Sequence, residues 1–174
     1  LPGSLGDCFV PQIVYSTVMA FNHDMFPQDK QPSSIADFFD VENFPGRRAI
    51  QDRPAANLEW ALYADGVALD EIYDVLATPE GLDRALAKLD SGRLFAAAEV
   101  EGQPITIIWD GQIVEWDGWV VPAQGRNVDT VLEYLFWATD SQRLADQAKF
   151  ISYGPARASS APLVSTHADL GIDM

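Results

Sequence analysis

Between Trp109 and Trp119 the chain reads WDGQIVEWDGW, with three tryptophans, two aspartates and a glutamate set among aliphatic runs. Packing explains the indoles but not the carboxylates, because an ionised group beside apolar surface loses hydration unless something replaces it. A cation would replace it. A charge-assisted N–H···O bond is about twice as strong as a neutral one, and an indole face adds about 0.5–2 kcal/mol of cation–π attraction. Trp109 and Trp119 are expected in the core. A strand-end aspartate can equally bond nearby backbone. Glu115 and Asp117, two apart on a strand, share a face. That pair, or Asp110 with Asp117, would suit acid–base work on a glycoside. No nucleophile, metal cluster or phosphate loop accompanies them, so no catalysis and no cofactor are expected.

Alternating strands and helices must position these groups. FVPQIVYSTVMAFN is β-branched, aromatic and nearly continuously apolar, which predicts a buried strand. Ser33 and Ser34 offer N-caps for a short helix IADFFD, and NFPGRR breaks it. RRAIQD reads as a short strand. Pro54 suits a first helical turn, so PAANLEWALYAD is expected as a helix closed by Gly66. LDEIYDVL continues helically, and PEGLDRALAKLD follows with Leu82, Leu86 and Leu89 on one face. RLFAAAEVEG reads as a helix ending at Gly102. PITIIWD and IVEWDGWVVP read as two strands joined by a turn at Asp110-Gly111. NVDTVLEYLFWATD and SQRLADQAKF are helices with capping candidates Asn127 and Asp140 or Ser141. Trp60 and Trp137, on helices, are expected in the core. The tail from Ile151 is small and polar with little periodicity. Strands separated by helices predict an α/β layer structure.

At 174 residues and about half apolar, the chain is sized for one globular domain. A formal charge of −15 argues against nucleic acid and anionic membranes as partners and favours the approach of cations. No apolar run reaches the length of a membrane span, and no basic, apolar leader opens the sequence, so any secretory signal is expected to have been removed. Cys8 cannot form an internal disulfide and reads as a buried inert thiol. His23 and His167 alone give no metal cluster.

FVPQIVYSTVMAFN, SIADFFDVENFPGRRAIQD, LEWALYADGV, IIWDGQIVEWDGWVVP and KFISYGPARASSAPLV resemble, in that order, the periplasmic solute-binding proteins of ATP-driven importers, specifically the spermidine/putrescine-type branch. The resemblance covers nearly the whole chain. It implies two α/β lobes joined by a hinge with ligand between them, and residues 1–174 as a single α/β lobe, the second, in shortened form, its mixed sheet flanked by helices. On this resemblance the family's N-terminal lobe is expected to be absent from the sequence. LAKLD passes directly to SGRLFAAAEVEG where the family usually places a further strand, helix and strand.

The resemblance also implies a small cationic ligand such as a polyamine, importer subunits as membrane partners of the parent, and a periplasmic location. Asp117 matches a carboxylate that holds a ligand amine. Trp116 is the matching aromatic, although the family more often carries that ring two residues before the aspartate, where Glu115 stands here. Asp52 matches a second carboxylate position and could also cap the helix at Pro54. Tyr153 matches an aromatic that closes on ligand, or is a tyrosine packed on the preceding helix. Tyr15 and Ser16, toward the hinge end of the first strand, complete the candidates. An alternative is a scaffold domain, since a lobe without its partner exposes apolar surface and would self-associate, as a symmetric homodimer.

Overall fold

The structure is a computed structural model that describes residues 8–91, 94–96, 105–122, 124–151 and 153–168. Contacts divide the chain into two compact units: unit 1 is Leu1–Ser16 with Val114–Met174, and unit 2 is Thr17–Ile113. The boundaries fall inside two long strands, β1 (Val10–Asn22) and β4 (Ile105–Trp119), which lie side by side in a sheet of order β4-β1-β5. The strand predicted from FVPQIVYSTVMAFN is thus present as β1, but it is mostly half-buried rather than buried, with only Met19 fully covered.

Unit 2 opens with the second half of β1 and holds α1 (Ile35–Phe39), β2 (Arg48–Ile50), α2 (Asn57–Ala64), α3 (Ile72–Leu76), α4 (Pro79–Ser91) and β3 (Leu94–Ala96). Ser34 caps α1 as expected. Its hydroxyl accepts from the Asp37 amide, and the Asp37 carboxylate accepts in return from the amides of Ser34 and Ser33 at 3.0 and 2.8 Å. Arg48, buried and with its pKa lowered by that burial, holds the breaker segment behind α1. It donates to the carbonyls of Phe38, Gly46, Asp40 and Phe44. α2 ends in a Schellman turn, in which the Gly66 amide donates to the Tyr63 carbonyl and the Val67 amide to Leu62.

Two apolar clusters fill this unit. Phe39, Ala61, Leu62, Val67, Ile72 and Ala85 form one, where α1 to α4 meet. Met19, Ile35, Trp60 and Ile108 form the other, between helices and the sheet.

Several expectations need correction here. α2 begins at Asn57 rather than Pro54, because Ala56 takes a positive φ and the Asn57 side chain donates to the Gln51 and Arg53 carbonyls, tying the preceding turn. α4 turns Ala85 into the core; Leu82, Leu86 and Leu89 share one face as expected, with Leu89 packed against the first cluster and Leu82 and Leu86 exposed. Residues 94–96 of the expected helix RLFAAAEVEG are a strand, because β3 pairs in parallel with β2 and that ladder overrides alanine's helical preference. The stretch 97–104 lies outside the described residues.

Asp110-Gly111 does not turn the chain. β4 runs through it as one strand, Gly111 taking a φ of +65°. Ile108 and Ile113 both face the second cluster, so the inward side of the strand changes parity across Gly111, the signature of a bulge. The Trp60 indole donates to the Gly111 carbonyl at 2.7 Å. The Asp110 carboxylate accepts from the Ile35 amide at 2.9 Å, with the Tyr63 hydroxyl 3.4 Å away. For this aspartate the lost hydration is replaced by the protein itself.

Unit 1 holds the first half of β1, the second half of β4, α5 (Val128–Ala138), α6 (Ser141–Gln147), β5 (Gly154–Pro155) and a 3-10 helix at Ala158–Leu163. Asp140 caps α6, accepting from the amides of Gln142 and Arg143. Asn127 does not cap α5: its own φ is positive and its side chain makes no capping bond. Only Leu135 of α5 is buried, and Trp109, Trp119 and Trp137, expected in the core, are exposed. Of the tryptophans assigned to packing, Trp60 alone is buried. Cys8 is exposed, not buried. Among the described residues no helix is long and apolar enough to cross a membrane.

Candidate ligand-binding site

Six of the seven candidates fall in unit 1, five on the adjoining strands β1 and β4 and Tyr153 just before β5. β1 pairs antiparallel with β5, Ile13 opposite Pro155 and Val14 opposite Gly154. One step further along that register Tyr15 stands opposite Tyr153. Their rings stack with centroids 5.0 Å apart and planes 27° apart, a geometry that adds about 0.5–1.5 kcal/mol beyond burial. The Ala156 amide donates to the Gln12 carbonyl, and the Gln12 side chain donates to Gln147 at the end of α6, at 2.9 Å. Tyr153 therefore sits on a segment paired with β1, which is itself tied to the end of α6.

On the other flank of β1, β4 presents Glu115, Trp116 and Asp117. Strand alternation sends Glu115 and Asp117 to one face and Trp116 to the opposite one, and likewise separates Tyr15 from Ser16. Trp116, Asp117 and Ser16 are exposed; Glu115, Tyr15 and Tyr153 are half-buried. Gly118 fixes how closely this part of β4 lies to β1, since a Cβ there would stand 2.4 Å from the Val10 carbonyl oxygen and 2.6 Å from the Phe9 ring. Sequence reading missed this positioning role and that of the Gln12–Gln147 pair. A glycine between Asp117 and Trp119 was the available signal for close approach; two glutamines far apart in sequence gave none.

Asp52 lies in unit 2, exposed on an open shelf of about 530 Å³ lined also by Ile50, Leu58, Leu82 and Leu86. It does not cap α2, whose N-cap position is Ala56.

The described residues thus form a sheet with flanking helices, with an aromatic pair and carboxylates on neighbouring strands. The family of bacterial extracellular solute-binding proteins matches residues 3–93 and 90–172, and the chain belongs to that family. It is 33% identical over 185 residues to the gamma-aminobutyric acid-binding protein of Pseudomonas aeruginosa, covering 89% of this chain and 52% of that one. Among solved structures it is similar to the PBP MotA from A. tumefaciens B6 in complex with glucopine, at 26% identity and a TM-score of 0.79, covering 94% of this chain and 59% of the other. It is also similar to the Atu4243-GABA receptor, at 29% identity and a TM-score of 0.78, covering 92% and 57%. The fold is thus the α/β periplasmic binding-protein fold, as expected. The chain spans about half the length of the curated relative it matches. None of these three proteins is named for a polyamine.

Proposed function

We propose that this chain is part of a periplasmic protein that captures a small amine-bearing solute for an ATP-driven importer. ω-Amino acids of the γ-aminobutyrate kind stand ahead of polyamines as the ligand class. The observation that carries this reading is the Tyr15–Tyr153 stack on β1, whose other neighbour, β4, brings Glu115 and Asp117. An ammonium group is attracted both to ring faces and to carboxylates, and the net charge of −15 steers cations inward. Two similar proteins named for γ-aminobutyrate support the amine and add a carboxylate to the ligand. In the same reading residues 1–174 are the second lobe of a two-lobed parent, and the carboxylates are ligand contacts rather than a hydrolase's acid–base pair.

Calorimetry on the full-length parent tests this with γ-aminobutyrate and putrescine. Tyr153→Ala and Asp117→Asn should each weaken binding of the preferred amine about tenfold or more, and Tyr153→Phe should stay near the parent. Unchanged affinity in both Tyr153→Ala and Asp117→Asn overturns the assignment of residues. Tighter binding of putrescine returns the ligand to the polyamines.

A second reading, a self-associating scaffold domain, is favoured by the exposed Phe136, Trp137, Leu132 and Tyr134 of α5. Light scattering showing a symmetric dimer of this chain would support it, and a clean monomer at high concentration would remove it.

A further inference from the structure

Unit 2 contains a pocket of about 270 Å³ that none of the seven candidates borders. Its wall is a run of phenylalanine rings: Phe21 meets Phe26 edge-on with centroids 5.9 Å apart, and Phe26 meets Phe44 at 6.1 Å. Phe38 and Met19 continue the apolar lining, and Met25 joins it from an exposed position. All four phenylalanines stay half-buried, although the same unit buries Phe39 and Trp60 in its two clusters. Ring surface is thus turned toward the pocket rather than into the core.

The polar groups that border it are committed to the fold. The Asp37 carboxylate accepts from the amides of Ser33 and Ser34, the Arg48 guanidinium donates to four carbonyls, and the Asn22 side-chain oxygen accepts from the Asp24 amide. Arg47 already has a partner as well. An ion entering the pocket would lose hydration that these committed groups do not replace. An uncharged ring needs no such replacement, and it gains from apolar burial and from edge-to-face contact with the wall. An apolar cavity of about 150 Å³ already accommodates benzene, so this one has room for a substituted ring. We propose that this pocket binds a small uncharged arene, seated among Phe21, Phe26, Phe38 and Phe44. The site lies within unit 2, takes a ligand class unlike the amine assigned to unit 1, and does not depend on that assignment.

Toluene, phenylacetate and 2-phenylethylamine share a ring and differ in charge, so NMR titration of this chain with each of them tests the proposal. Isotope-labelled methionine methyls serve as reporters, because Met19 and Met25 both line the pocket. Toluene should bind in the millimolar range or tighter and move both methyl signals along one saturation curve. Each ion should bind about tenfold more weakly or not at all. Phe44→Ala removes one wall and should weaken toluene about fivefold or more. Phe26→Leu keeps an apolar side chain but loses the ring, and should weaken it about twofold. Circular dichroism checks that the variants fold. Equal affinity for the three compounds, no toluene binding, or toluene binding that leaves both methyls unmoved would overturn the proposal. So would parental affinity in a folded Phe44→Ala or, where that variant does not fold, in Phe26→Leu.

Discussion

α2 in unit 2 and α5 in unit 1 are both rich in aliphatic and aromatic residues, yet their burial differs sharply. The eight residues of α2 bury Asn57, Trp60, Ala61 and Leu62. The eleven residues of α5 bury only Leu135, and Phe136 is 83% exposed. A helix that is apolar all round normally sits inside a larger assembly. Both buried clusters lie in unit 2, where α1 to α4 and the sheet supply partners for apolar side chains. Among the described residues of unit 1 the buried hydrophobics are Leu135, Leu144 and the alanines 145, 148 and 156, which together offer little area. Stability is therefore concentrated in the unit that carries Asp52 alone of the candidates, and the other candidates sit on the more weakly buried one.

Substitutions in the two helices test that contrast most strongly. Leu62→Ala, at a fully buried position, should cost about 3–5 kcal/mol in urea unfolding, whereas Phe136→Ala should stay within about 0.5 kcal/mol. Comparable losses would show that α5 is as firmly packed as α2, and the contrast would fail.

Gly118→Ala sharpens it from the other side. Here unit 1 does have a tight contact, and a Cβ must push β4 away from Val10 and Phe9, costing about 1–3 kcal/mol. The same displacement should weaken ligand capture by the full-length parent more than Gly66→Ala does, because Gly66 lies in unit 2 in open space. Equal effects on binding would detach Gly118 from the site.

The smallest effect is electrostatic. Asp40 in unit 2 is held below the ordinary aspartate value of 3.8 mainly by the Asn43 side chain, and then by the Asn43 amide. Asp146 in unit 1 is held below it by Lys149, 2.5 Å away, and by Gln142. For a carboxylate whose folded pKa is depressed, the contribution to stability is fully present above the unfolded value. It is lost as pH falls through the folded one. Both groups are exposed, so melting curves between neutral pH and pH ~3 should change only slightly on Asp40→Asn or Asp146→Asn, with the difference from the parent shrinking as pH falls. A difference that grew on acidification would reverse the sign and refute the assignment.

Local chemistry was the legible part of this sequence. Ser34 with Asp37, Gly66 and Asp140 each announce a helix end through a side chain or conformation that acts within a few residues. What misled was context. Residues 94–96 read as the start of a helix until β2 offers a ladder, and Asp-Gly favours a hairpin until the neighbouring β1 holds the strand straight and turns the pair into a bulge. The tryptophans were assigned inward on size, but size cannot say whether the described chain has enough surface to cover them. At the candidate site, Tyr15 and Tyr153 were each readable from the sequence. Their stacking was not, because it follows from a strand register that joins residues 138 positions apart.

The placement of the unit boundaries inside β1 and β4 has a kinetic side. Unit 2 is one uninterrupted stretch, so its contacts can form as soon as Ile113 is available. Unit 1 is split, and β1 cannot pair with β5 until the whole intervening stretch has been gathered in. Loop-closure entropy grows only as the logarithm of loop length, so a folded insert that brings its two ends together removes most of that cost in advance. During synthesis Tyr15 precedes Tyr153, so their stack can form only after the stretch between them has been made.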